Sequence, residues 1–523
     1  MIKTLNITLI SLCGFFAWCL LSLCIVSGQP VSSVLVTDVI LYALWCVALS
    51  VSRNLRSVAV AVVLICALIQ SFLVFFQFFD ILGSRHSLFP VTGFMGNPGL
   101  MGGFQAIAMV IGLHYIKHSS SSKMRIVLIV LSAIYLFTML ASDSRAAVVG
   151  CLVGVITIFW DKLKNIINRY RWLVIGVMLA ALGLSVGLYF YRPASVDARL
   201  LIWRVGVDMF MESPIYGQGL SMFAHRYMNC QAEYFLSHPT SPFVSVADNA
   251  AYPYSDLLRV VLELGLIGMV LVLMVLVIPL AVRADNSIKA PLVTYLVFSL
   301  FSYPSYDTIM SLCFPVLLFF PFCSDESRGK RYRLLFITLL LMLTLCGYRH
   351  YNVTERLYSH DEKELKLELQ KVKDWYLIPR YNIVLSELFE SGSSLYPDMI
   401  GYLRPTCENY CLIGDYLCRK QNNAAAEGYY SRASEMIPTR MTPLYKLWKL
   451  YMYENRYVKI ENEYSIRRVS INSRPLTRSE KNQEIEKVDA ERLNKVKELL
   501  SADQYLKWYE VYLVNEAYRK SQK

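Results

Sequence analysis

The chain has 523 residues, 55% of them hydrophobic, with a mean hydropathy of +0.39 and a formal net charge of +12. This composition excludes an ordinary soluble enzyme and a disordered chain, and it fits a polytopic membrane protein. The positive balance comes with no nucleic-acid-binding motif, so nucleic acid is not an expected partner.

In chain order, eleven apolar runs fall at 7–27, 34–52, 57–79, 98–116, 126–141, 146–160, 172–190, 257–282, 290–303, 309–323 and 334–347. Most reach the roughly 20 residues that a helix needs to cross the hydrocarbon core. The runs at 146–160, 290–303 and 334–347 are shorter and read as tilted, extended by neighbours or partly re-entrant. Residues 1–28 have a basic start and a small-residue end, like a secretory signal. Their apolar stretch is longer than such a core, so a retained first helix is expected.

Alternate connecting segments hold Lys3; Arg53 and Arg56; Lys117, Lys123 and Arg125; Lys162, Lys164, Arg169 and Arg171; Arg283 and Lys289; and Arg328, Lys330, Arg331 and Arg333. Loops rich in Lys and Arg resist translocation, which marks this side as cytoplasmic. The short loops of the opposite side hold only Arg85 and Arg145. The expected fold is therefore an all-α bundle of about eleven spans over residues 1–347, with a large outer loop at 191–256. An odd number of crossings places the hydrophilic tail, 348–523, outside.

Four polar elements gather on that outer side. The first is Gly93-Phe94-Met95-Gly96-Asn97-Pro98-Gly99-Leu100-Met101-Gly102-Gly103, where Asn97-Pro98 signals a turn into a helix. Freed N–H groups at such a start make an anion site, with Asn97 beside it. The alternative is that the glycines only permit close helix packing. The second is Ser142-Asp143-Ser144-Arg145. A cation on the side that positive charge avoids is expected to hold an anion, and a planar guanidinium grips phosphate bidentately. An ion pair with Asp143 or another carboxylate is the structural alternative.

The third element is Ala198-Arg199-Leu200-Leu201-Ile202-Trp203-Arg204, followed by Pro214-Ile215-Tyr216-Gly217-Gln218-Gly219. Arg199, Trp203 and Val207 recur at helical spacing, which predicts an amphipathic helix on the membrane surface. Arg199 would meet lipid headgroups or a substrate phosphate, and Arg204 is a second candidate for the phosphate. The fourth is the segment from Tyr254-Ser255-Asp256 through Arg259 and Glu263 to Gly265 and Gly268. Asp256 and Glu263 lie two turns apart on one helix face, where they serve a polar cavity or pair with Arg259.

In the tail, residues 363–390 show an amphipathic helical pattern. The stretch from Asn423 to Ala433, then Pro438 and Pro443-Leu444-Tyr445, has the small and aromatic residues of a tetratricopeptide helix pair. A generic helical domain is the alternative, and 474–498 reads as a solvated helix. Cys407, Cys411, Cys418 and Cys230 leave room for one disulfide, whereas no histidine completes a metal site.

The order Gly-Asn-Pro, Ser-Arg, Arg-x-x-x-Trp with Pro-x-x-Gly-x-Gly, and Leu-x4-Glu-x-Gly-x-x-Gly resembles the O-antigen ligase superfamily, which also includes O-linked oligosaccharyltransferases and polysaccharide polymerases. The motifs cover about residues 90–270, and a tetratricopeptide-like tail resembles the Bacteroidetes-type variant. The resemblance implies a metal-independent, cofactor-free transferase of the bacterial inner membrane. It would move a glycan from an undecaprenyl diphosphate carrier to a hydroxyl of lipid A core, protein or growing glycan at the periplasmic face.

Arg145 and Arg199 match the family's arginines and would bind the diphosphate; Glu263 matches its Glu. Where many members carry His-Asn, with that His the proposed base, this chain has Tyr254-Ser255; Asp256 is the favoured substitute, with Glu263, His225 and His238 as the alternatives. A polymerase of the same superfamily or a non-enzymatic transporter of lipid-linked glycans are the competing readings. Internal repeats and midplane charges, expected of a transporter, are absent from the sequence. The tail is expected to dock an acceptor or a protein partner.

Overall fold

The computed structural model describes residues 2–26, 33–84, 86, 89–170, 172, 193–282, 284–322, 404–453, 464, 467–468, 470–472 and 477–499. The apolar runs at 172–190 and 334–347, the pattern at 363–390, Arg85, Arg171, Arg283 and the basic 328–333 segment lie outside them. The described residues are helical, with no strand among them. The chain forms two compact units whose division is not sequential: Met1–Phe223 with Ala251–Asp374, and Ala224–Ala250 with Trp375–Lys523. The sequence predicts domains at 1–347 and 348–523; within the 191–256 loop, the segment Ala224–Ala250 groups with the tail and the rest with the first unit.

The first unit contains α1 (Ile2–Leu21), α2 (Ser33–Val51), α3 (Arg53–Phe78), α4 (Pro98–His118), α5 (Ser122–Ala141), α6 (Arg145–Ile158) and α7 (Trp160–Arg169). It continues with α8 (Pro193–Glu212), α10 (Asp256–Ala281), α11 (Asn286–Leu300) and α12 (Thr308–Phe319). Helices α3, α4, α5 and α10 are long and apolar enough to cross a membrane. A fifth span arises if α6 and α7, bent by 79°, are one broken crossing. α1, α2 and α12 supply shorter apolar helices, so the described residues hold four or five full-length candidates rather than all eleven runs.

Helix α4 is the centre of the bundle and packs on α5, α6 and α11. Lipid tails give no hydrophobic drive for helices to associate, so close approach through small residues matters most. A Cβ on Gly103 would stand 2.5 Å from the Phe298 ring, and one on Gly102 would stand 2.2 Å from Ser142 Oγ. For these two glycines, close packing is what the structure shows. Proline breaks are repaired locally: Pro315 in α12 lacks the N–H that would bond Ser311, and Tyr42 Oη donates to that carbonyl at 2.9 Å.

At the end of the bundle away from Arg145, the buried Arg56 donates to the carbonyls of Leu49, Ser50 and Phe322. It thereby closes orphan helix-end carbonyls of α2 and the turn after α12. Lys117 and His118 close on Asp285 at the same end.

The second unit contains most of α9 (Phe223–Ser237), then α13 (Cys407–Arg419), α14 (Asn423–Met436), α15 (Met441–Tyr453) and α16 (Arg478–Leu499). α13 packs on α14 and α14 on α15. Thr406 and Asn422 cap α13 and α14, and α14 stops two residues before Pro438. α16 is largely exposed, with Val488, Arg492 and Val496 buried. Cys407 and Cys411 are buried thiols one turn apart, and no described cysteine is in a disulfide.

Candidate functional site

Between α5 and α6 the chain turns through Ser142-Asp143-Ser144. Asp143 takes φ of 51°, a left-handed conformation that a short polar side chain tolerates. Ser144 caps α6: its Oγ accepts the Ala147 N–H at 3.3 Å and donates to the Gly99 carbonyl at 3.4 Å. The start of α6 is thus tied to the start of α4, with Arg145 as the first helical residue. A cation there opposes the helix dipole, and an anion between the two would relieve both.

Arg199 comes from α8, which buries Leu201, Ile202, Val205 and Met209. Gly206 lets that face approach Leu258 and Leu262 of α10. Trp203 and Val207, of the Arg199–Trp203–Val207 stripe, are exposed on the other face of the helix. Arg204 is exposed and does not join Arg199. The Arg199 guanidinium lies 5.6 Å from the Tyr254 ring centroid. Burial, and then the charge of Arg145, hold Arg199 below its ordinary value, while Tyr254 and Tyr303 act the other way. The charge of one arginine that the sequence singled out is thus felt at the other.

A tyrosine cluster borders Arg199. Tyr252 and Tyr303 stack at 4.4 Å with 6° between planes, and Tyr254 meets Tyr303 edge-on at 5.3 Å. Tyr254 has φ of 53°, strained for a bulky side chain. Tyr303 Oη accepts from Asn97 Nδ2 at 2.7 Å.

The other end of the Asn97 amide caps α4, with Oδ1 accepting from Gly99 and Leu100 at 2.8 and 3.2 Å. Upstream, the N–H groups of Thr92 and Gly93 donate to Gln77, and that of Phe94 to Gln70. Of the N–H groups at the helix start, where the sequence suggests an anion site, those of Gly99 and Leu100 bond to the Asn97 cap. Asn97 orients Tyr303 and starts α4.

Asp256 and Glu263 do share one stretch of α10, each tied to a partner. Glu263, 1% exposed, accepts from Arg259 Nε at 3.0 Å. It also accepts from the Phe223 N–H at 3.3 Å and from Tyr306 Oη at 3.5 Å. Asp256 accepts the Ser305 N–H at 3.1 Å and also the Ser305 hydroxyl. Arg259 Nη1 donates to Ser305 Oγ at 2.8 Å, and its guanidinium lies 4.0 Å from the Tyr306 ring centroid.

Just below, α10 breaks at Gly265 (φ 66°, ψ −165°). A helix break in a spanning segment frees backbone groups that lipid cannot satisfy. Here the strap Pro214–Gly219 takes them: Gln218 and Gly219 N–H donate to the Leu262 and Glu263 carbonyls, and Leu266 and Ile267 N–H donate to Pro214 and Ile215. Trp18 Nε1 donates to the remaining Leu264 carbonyl at 3.0 Å. The sequence motifs Pro-x-x-Gly-x-Gly and Glu-x-Gly are two halves of one backbone clasp.

The residues that the sequence reading passed over are Tyr252, Tyr303, Ser305 and Tyr306. Their signal was an aromatic and polar turn, Tyr303-Pro304-Ser305-Tyr306-Asp307, between two apolar runs. Among the described residues no group of three or more His, Cys, Asp or Glu could hold a metal ion. Residues 127–273 match the family model for O-antigen ligase. The matched stretch runs from α5 into α10 and includes Arg145, Arg199, Arg204, Asp256 and Glu263. No curated protein matches the chain.

Proposed function

We propose that this membrane protein transfers a glycan from an undecaprenyl diphosphate carrier to an acceptor hydroxyl, a reading supported by the match of residues 127–273 to the O-antigen ligase family model. The reading puts the site at the periplasmic face of a bacterial inner membrane. The acceptor is lipid A core, a protein or a growing glycan. The acceptor oxygen bonds to the anomeric carbon, the bond from that carbon to the phosphate oxygen breaks, and the acceptor proton passes to a base.

The observation that carries this is that Arg199, on α8 beside Tyr254, feels the charge of Arg145, on α6. Two guanidiniums neutralise a diphosphate and make it a better leaving group. Asp256 is assigned as the base, since a carboxylate that accepts from Ser305 keeps further lone pairs for a proton. Glu263 is assigned to hold Arg259, and Asn97 to hold Tyr303. Exposed Arg204 is assigned to lipid headgroups. The tail is read as tetratricopeptide-like and periplasmic.

Arg145→Ala and Arg199→Ala should each lower transfer by about 100-fold or more, the scale seen for loss of one preorganised charge-stabilising donor. The check is glycan transfer to each acceptor class in membranes where the variants are inserted at wild-type levels. Undiminished transfer by both variants overturns the assignment.

A further inference from the structure

The large loop and the tail are far apart in sequence, yet Ala224–Ala250 and the tail form one compact unit. The contacts between them are specific. Gln231, fully buried, donates through Nε2 to the Met436 carbonyl at 2.7 Å, closing an orphan carbonyl at the end of α14. Asn249 Oδ1 accepts the first N–H of α13, from Cys407, at 3.2 Å, and Asn249 Nδ2 donates to Glu408. Tyr410 Oη donates to Asn229 Oδ1 at 3.2 Å.

The charges are complementary. Arg432 donates to the Asn229 carbonyl and to Glu233 at 2.9 and 2.8 Å, and Arg440 donates to Asp248 at 2.8 Å. On the loop side Tyr227, Met228, Ala232 and Phe235 are buried, a face too apolar for a water-exposed loop helix standing alone.

We infer that the tail is the folding partner of the outer loop. The two lie on one side of the membrane, and the tail is required for transfer because it holds the loop. The residues that flank the loop segment in the chain belong to the site. Phe223, just before it, donates its N–H to Glu263. Tyr252, just after it, stacks on Tyr303. Without the tail, 224–250 loses its buried partners, and both flanking residues lose their anchor. The sidedness and folding parts stand on the contacts alone; the requirement for transfer rests on the function proposed above.

The test uses the full-length protein. In a background with native cysteines replaced, Thr240→Cys and Thr439→Cys, both at exposed positions, are treated with a membrane-impermeant maleimide on intact cells. Both should label, or both should be protected; labelling of one alone overturns the shared side. In parallel, Gln231→Ala and the charge swap Glu233→Arg with Arg432→Glu are followed by protease cleavage within 237–241.

Gln231→Ala and each single swap variant should be cleaved faster, Gln231→Ala by about ten-fold, because it leaves a buried carbonyl unpaired. The double swap should restore the wild-type rate. Unchanged cleavage in all variants overturns the partnership. Faster cleavage with undiminished transfer overturns the requirement for the tail. Labelling and cleavage as expected, together with full transfer by Arg145→Ala and Arg199→Ala, would leave the partnership standing and remove the enzymatic reading.

Discussion

Arg199 differs from several other cations among the described residues in what surrounds it. Arg56 is spent on three carbonyls, Arg259 on Glu263 and Ser305, and Lys117 on Asp285. Arg199 instead feels a second guanidinium and two phenols, and burial and like charge oppose its ionisation. If the pair grips a diphosphate through the planar fork, Arg199→Lys should recover little of the transfer that Arg199→Ala loses, since an ammonium is a point charge. Equal activity of the Lys variant and wild type, measured as initial rate, would argue for a charge-only role.

The proton acceptor is decided by another pair of variants. Asp256→Asn should abolish transfer, whereas Tyr254→Phe should retain it. The opposite pattern moves the base to the Tyr254 hydroxyl. Glu263→Ala leaves a buried guanidinium without its carboxylate, a change that costs about 3–5 kcal/mol, and should lower the melting temperature in detergent markedly.

At the scale of elements, the clasp between the Pro214–Gly219 strap and the Gly265 break is the part most sensitive to a single methyl group. A Cβ at Gly217 would stand 2.4 Å from the Glu263 carbonyl oxygen, and one at Gly265 2.3 Å from that of Ile215. Both glycines also have positive φ. Gly217→Ala and Gly265→Ala should therefore destabilise the protein and lower transfer, whereas Gly428→Ala, with nothing within 4 Å, should be silent. Thermal melts and transfer rates of the three variants check this.

These glycines were visible in the sequence as motif letters, but their job was not. A regular expression records spacing along the chain, and the clasp is a pairing between segments separated by dozens of residues. The same holds for the site. Arg145, Arg199, Asp256 and Glu263 were legible because charge at a membrane boundary is conspicuous. Tyr303 and Ser305 were not, because a tyrosine or serine at the rim of a span is ordinary until its partners are known. Asn97 was legible as a helix start, but its bond to Tyr303 was not, because the partner lies 206 residues away.

On the scale of the molecule, hydropathy gave the helical class and the approximate order of spans. It could not show that the outer loop folds with the tail, because that pairing rests on Gln231, Asn249, Arg432 and Arg440, which carry no periodic signal. The loop–tail unit also predicts a pH dependence. Burial, and then the charge of Arg226, lower the pKa of His225 at the start of α9. The unfolded state binds that proton first, so this stability is present above the ordinary histidine value of about 6.5 and is lost as pH falls below it through the lowered folded-state value. Cleavage of the loop should therefore quicken as pH falls below about 6.5, and His225→Gln should flatten the dependence.

The central claim, that Arg145 and Arg199 together hold a lipid diphosphate, is tested most directly by binding. Purified full-length protein in lipid nanodiscs should retain undecaprenyl diphosphate and not undecaprenol, and Arg145→Ala and Arg199→Ala should each lose that preference. Equal retention of the two lipids by the wild type, or an unchanged preference in both variants, would contradict the account.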